Sequence, residues 1–110
     1  MKVELRSGEL RGTLDCGNDV FFVGCRLTDP KRDNRNNIIN MNMADDIDEY
    51  KTIFNAIDIR MNELCLENGM FLELHCYITD DPSILAIMEP YKGMKMVEVV
   101  HGDTELTITV

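Results

Sequence analysis

Glu73, His75 and Tyr77 stand two residues apart in a segment that alternates polar and apolar residues. In an extended chain such residues share a face. A carboxylate, an imidazole and a phenol on one face could line a pocket, hold a polar ligand or move a proton. Cys76 has the opposite parity, so it points away from His75 and the two cannot form a thiol–imidazole pair. The competing reading of His75 is a partly exposed strand residue with no chemical role. His101 precedes a turn and reads as solvated.

A second concentration of chemistry lies at residues 26–37. Arg26, Lys31, Arg32 and Arg35 are interleaved with Asn34, Asn36 and Asn37. Guanidinium and amide groups of this kind can hold a phosphate, a nucleotide or an acidic peptide. Asp29 and Asp33 neutralise part of that charge, so a solvated polar loop is the simpler reading. A ligand site drawn from both groups would combine Arg26, Arg32 and Arg35 with Glu73, His75 and Tyr77.

The acidic groups Asp45-Asp46-x-Asp48-Glu49 and Asp80-Asp81 could bind a divalent cation through oxygens. Carboxylates that open helices have a sufficient explanation as caps and dipole partners. The four cysteines, Cys16, Cys25, Cys65 and Cys76, show no C-x-x-C spacing, which argues against structural zinc. They are expected to be free thiols, and no cofactor or metal is expected. The sequence has no phosphate-binding glycine loop, no G-x-S-x-G and no H-E-x-x-H.

The net charge of −9, from 20 acidic and 11 basic residues, disfavours nucleic acid and anionic membrane surfaces as partners. It suits a basic protein, because opposite fields accelerate encounter. No apolar run reaches the roughly 18 residues of a membrane span. The first residues alternate charge and hydrophobe, unlike a secretion signal, so a cytoplasmic protein is expected. A length of 110 residues suits one domain, 1–110.

The elements that would position these groups follow from periodicity. Two tight turns, Ser7-Gly8 and Gly17-Asn18, predict a three-strand meander over the first 28 residues. In that register Arg6 faces Glu9, Glu4 faces Arg11, Leu14 faces Phe21 and Leu10 faces Cys25. Ile39, Met41 and Met43 suggest a short fourth strand. Ile47, Tyr50, Phe54, Ile57, Met61 and Leu64 form a helical stripe, predicting a long helix from about Asp46 to Asn68 that ends at Gly69. Met70–Thr79 reads as a strand with Leu72, Leu74, Cys76 and Ile78 on one face. Asp81-Pro82 opens a short helix, and residues 94–110 form a hairpin around Gly102-Asp103. The expected fold is α+β, in the order β-β-β-(β)-α-β-α-β-β. An antiparallel or mixed sheet carries one long amphipathic helix and one short helix on one face.

The opposite face would present Val20, Phe22, Phe71, Tyr77, Met96 and Val100, an apolar patch suited to a homodimer or another partner. Together these features predict a small acidic binding protein that inhibits or regulates a larger, basic protein partner by occlusion, a reading that leans away from an enzyme without excluding one. Phe22, Phe71 and Tyr77 would be the anchors, with Asp45, Asp48 and Glu49 the charged contacts. In size and charge alone the chain resembles bacterial immunity proteins and phage anti-defence inhibitors. The alternative is a small-molecule, nucleotide-binding or catalytic domain whose site is assembled in an oligomer.

Overall fold

In the computed structural model, residues 1–17, 20–29, 37–43, 48 and 60–110 are described. Among the described residues, eight strands form two antiparallel sheets. They are β1 (Lys2–Ser7), β2 (Leu10–Asp15), β3 (Val20–Thr28), β4 (Asn37–Asn42), β5 (Arg60–Cys65), β6 (Phe71–Ile78), β7 (Lys95–His101) and β8 (Thr104–Thr109). The first sheet has the order β2-β1-β8-β7 and the second β4-β3-β6-β5. A short helix, α1 (Pro82–Met88), runs into a 3-10 turn at Glu89–Tyr91. The fold is therefore mostly β, and the α+β expectation with a long helix on one sheet is wrong.

Among the described residues, the departure lies at 60–69. Met61 and Leu64 fit a helical stripe, but they also fit a strand, and Arg60–Cys65 pairs along its length with β6. Asn68-Gly69 is a strong hairpin signal, and the chain turns there instead of ending a helix. Gly69 has φ of 86°, a conformation open to glycine. Leu66 N–H donates to the Met70 carbonyl at 2.9 Å, and Asn68 Oδ1 accepts from Met70 N–H at 3.0 Å. Asn68 Nδ2 also donates to Ser7 Oγ at 3.2 Å, tying this hairpin to the other sheet. Apart from Asp48, the remainder of the expected helix before Arg60 lies outside the described residues.

The N-terminal meander is also corrected. The β1–β2 turn falls at Gly8-Glu9, so Val3 faces Leu14 and Leu5 faces Gly12. This register differs by two residues from the expected one. A two-residue shift keeps the same side chains inside but changes every cross-strand pair. Arg6 faces Arg11 in place of Glu9, and finds its counter-ion in Glu105 of β8, 2.7 Å away. Both partners are substantially exposed, so the double-mutant coupling between Arg6→Ala and Glu105→Ala is expected to stay below about 1 kcal/mol in chemical denaturation. The predicted pairing of Leu14 with Phe21 does not occur, because β2 and β3 belong to different sheets.

The central strands supply most of the core. Val3, Leu5, Leu106 and Ile108 of the first sheet are almost fully buried, as are Leu27, Leu72, Leu74 and Cys76 of the second. They join one hydrophobic cluster. Where β2 meets β5, a Cβ on Gly12 would lie 2.9 Å from a Leu66 methyl, so the layers touch closely there. The final hairpin has the expected register, with Val97 opposite Ile108 and Val99 opposite Leu106.

β3 contains the most consequential irregularity. Phe22 pairs with Cys76, and Gly24 pairs with the next residue back, His75, leaving Val23 as an inserted bulge residue. A bulge reverses which side chains face inward. Before it, Phe22 shares a face with Cys76; after it, Cys25 and Leu27 share that face with Leu74 and Leu72. Residues 20–25 are consequently all buried. Phe21 and Tyr77 pair on the other face and are each 2% exposed. Lys92, just after the 3-10 turn, places its ammonium 5.9 Å from the Phe21 ring centroid.

α1 begins as expected. Asp81 is the cap, accepting from Ser83 N–H at 2.9 Å and from Ser83 Oγ at 2.7 Å, and Pro82 follows at the first helical position. These bonds hold the Asp81 carboxyl below its ordinary range. A lowered folded-state value means that the cap stabilises above the ordinary carboxylate pKa and stops doing so as pH falls through the lowered one. The melting temperatures of wild type and Asp81→Ala are expected to differ at neutral pH and to converge in acid.

Candidate binding site

The outer face of the second sheet gathers the polar side chains most capable of recognition. Successive cross-strand rows can be read from the register. Asn42, Gly24, His75 and Met61 form one row, and Asn40, Arg26, Glu73 and Glu63 form the next. Gly24 leaves a notch between Asn42 and His75. The result is a recess of about 110 Å³ bordered by Gly24, Arg26, Asn40, Asn42 and His75.

Gly24 is there for a packing reason. A Cβ at this position would lie 2.4 Å from the Met41 carbonyl oxygen, well inside van der Waals contact. The same missing side chain permits the bulge and opens the recess. Arg26 Nε lies 3.4 Å from Glu73 Oε2, so the guanidinium is held across the sheet. Glu63 stands opposite Glu73 on the far side. His75 Nε2 is buried and has no hydrogen-bond partner among the described residues. Met61 is 53% exposed at the edge of the sheet.

An imidazole without an orienting partner is poorly set up as a general base. The nearest thiols lie within the core: burial pushes Cys25 up to about 12, and burial moderated by an Asn62 hydrogen bond raises Cys76 to about 11. Glu73 is engaged by Arg26. At pH 8, native-state alkylation is expected to modify the exposed Cys65 first and to spare Cys25 and Cys76, as read by peptide mass spectrometry.

Of the residues expected to bind a ligand, Arg26, Glu73 and His75 come together here. Arg32 and Arg35 lie outside the described residues. Of the expected protein contacts, Phe22 is fully buried and Tyr77 nearly so, and neither is a surface anchor. The bulge explains the error at Phe22: simple alternation from Cys25 back along the strand puts it on the wrong face. Phe71 is half-buried on the outer face opposite Thr28 and Cys65, and Asp48 is exposed. Asp45 and Glu49 lie outside the described residues. Asn40, Asn42, Met61 and Glu63 were missed. A glycine inside a strand was the signal for the bulge, and the Asn-x-Asn alternation marked the wet side of β4.

The expected apolar patch is not assembled. Val20, Phe22 and Tyr77 are buried, Phe71 is on the second sheet, and Met96 and Val100 are on the first. The outer face of the first sheet carries instead a shallow cleft of about 300 Å³ with Glu4, Arg6, Arg11, Thr13, Glu105 and Thr107 along it. Its two cations and two anions balance. Among the described residues, no group of three or more His, Cys, Asp or Glu could hold a metal ion, and no helix is long and apolar enough to cross a membrane.

The described residues form a small two-sheet β domain whose second sheet has an open, polar outer face. No family model, curated protein or solved structure matches the chain.

Proposed function

We propose that this chain is a non-enzymatic binding protein that inhibits or regulates a larger, basic protein partner by covering part of its surface. The observation that carries the reading is the outer face of the second sheet, where exposed Met61 and half-buried Phe71 flank Glu63 and Glu73. An apolar contact framed by carboxylates is a natural complement to a basic surface with an apolar pocket. The net charge of −9 adds attraction at long range. Asp48, with Asp45 and Glu49 beside it in sequence, would extend the acidic contact. Phe22 and Tyr77 have no place in this surface.

The test is affinity capture from the native lysate with wild type and with the double variant Met61→Glu/Glu63→Lys. A specific partner should be retained by wild type and released as salt approaches roughly 1 M, where screening shortens to about 3 Å. The double variant should fold normally, since both sites are exposed, and bind at least about 30-fold more weakly. Equal retention by both proteins, or retention indifferent to salt, would refute the reading.

A second reading rests on the recess itself. Arg26, Asn40 and an unpartnered His75 could hold a small anionic ligand such as a phosphate or nucleotide. Thermal shift with millimolar phosphate and nucleotides should then stabilise wild type and leave Arg26→Ala unmoved. No shift with any of them would remove this reading.

A further inference from the structure

The outer face of the first sheet holds a cleft that the proposed function does not use. At about 300 Å³ it stands at the small end of the sizes that enclose ligands. Two cross-strand rows line it. In one, Arg11 of β2 stands directly opposite Arg6 of β1, and Arg6 stands opposite Glu105 of β8. In the next, Thr13, Glu4 and Thr107 stand side by side. Like charges directly opposite one another destabilise a sheet, so the Arg6–Arg11 pair works against the fold. Glu105 offsets only one of the two guanidiniums, bonding Arg6 Nη2 at 2.7 Å. Arg6 Nε is buried with no acceptor. Arg11 and Glu4 are exposed, and neither side chain makes an ion pair among the described residues. Beyond Thr107, Glu98 is taken by Lys95 at 3.6 Å.

We infer that this cleft binds a free α-amino acid as its zwitterion. The uncommitted charges decide the class of ligand. A phosphate would meet the Arg6–Arg11 pair, but also the carboxylates of Glu4 and Glu105. A simple cation would meet those carboxylates, but also two guanidiniums. A molecule with one carboxylate and one ammonium matches both. Its carboxylate lies between Arg11 and Arg6, relieves their repulsion and gives Arg6 Nε an acceptor as the guanidinium turns toward it. Its ammonium donates to the Glu4 carboxylate, with the hydroxyls of Thr13 and Thr107 on either side as further acceptors. The two rows are two residues apart along β1, about 7 Å. The long side chains of Arg and Glu close that gap around two charges borne by one carbon. The ligand's own side chain projects from the shallow cleft, so different α-amino acids are bound alike.

The experiment titrates the nitrogen-labelled full chain with L-alanine, L-serine and L-glutamine, each to about 50 mM, and follows the backbone amides by NMR. Saturable shifts are expected at Glu4, Arg6, Arg11 and Thr13, with a Kd of roughly 1 mM. N-acetyl-L-alanine keeps the carboxylate and loses the ammonium; L-alaninamide keeps the ammonium and loses the carboxylate. Each should bind at least about tenfold more weakly than L-alanine. The same loss is expected for L-alanine itself on Arg11→Gln and on Glu4→Gln. Both sites are exposed, so the two variants should keep the wild-type spectrum away from the cleft, and Arg11→Gln should melt no lower than wild type. Shifts that fail to saturate with all three amino acids, either derivative binding as tightly as L-alanine, or unchanged affinity in both variants would each overturn the inference.

Discussion

A Gly24→Ala protein is expected to melt roughly 10–20 °C below wild type, and a Gly24→Val protein should not accumulate as a folded species. The added Cβ would stand 2.4 Å from the Met41 carbonyl oxygen, which belongs to the paired backbone of β4. A flexible side chain could turn aside; a ladder carbonyl can retreat only by breaking its sheet. Relief would require β4 to separate from β3, or the bulge at Val23 to migrate. Migration would turn Phe22 or Cys25 toward water. Either route costs about 3 kcal/mol, a large share of the stability of a domain this size. Thermal or urea unfolding followed by circular dichroism measures it. A loss below about 0.5 kcal/mol would show that the β3–β4 approach is looser than described. Gly17 is the control, since nothing lies within 4 Å of a Cβ built there. Its positive φ still makes substitution mildly unfavourable, so the contrast is one of magnitude.

Phe22→Ala is expected to destabilise by about 3–5 kcal/mol, enough to leave a marginally stable domain largely unfolded. Phe22 is the largest of the fully buried side chains among the described residues. It lies beside Cys76 in the middle of the second sheet, and the central strands β3 and β6 cannot easily close the cavity left by its removal. This result separates two views of the residue. A surface anchor would lose partner binding on truncation while keeping its melting temperature. A core residue loses the fold, and binding only as a consequence. Met61→Ala is the matching control on the wet face. It should change stability by no more than about 0.5 kcal/mol while weakening the partner contact. If Phe22→Ala melted like wild type, the bulge and the inward placement of Phe22 would both be wrong.

The two predictions bear on function through the same few atoms. Gly24 and the inserted Val23 set the parity of β3, and that parity decides what the outer face offers. With the bulge, Arg26, Glu73 and His75 share a surface with Asn40 and Asn42, and Phe22 leaves it. The outer face of the second sheet is therefore more polar than alternation alone implies, with its apolar contribution at Met61 and Phe71 toward the rim. Such a surface depends on electrostatic complementarity more than on a broad apolar anchor, so its affinity should fall steeply with salt.

Features settled within a few residues were legible from the amino acids alone. The hairpin at Gly102-Asp103, the alternation of residues 71–78 and the Asp81-Pro82 helix start each rest on a local turn, a local period or a local cap. Arg26, Glu73 and His75 were recognisable as chemistry by type. Their meeting, the exclusion of Phe22 and Tyr77, the division of strands between two sheets and the strand at Arg60–Cys65 were decided only by tertiary structure. Each depends on which distant strand a segment pairs with. Met61 and Leu64 satisfy a helical or an extended period equally well, and the long-range ladder to β6 selects one. A single inserted residue in β3 then reverses inside and outside for all that follow, because side chains on a strand have only two directions to point.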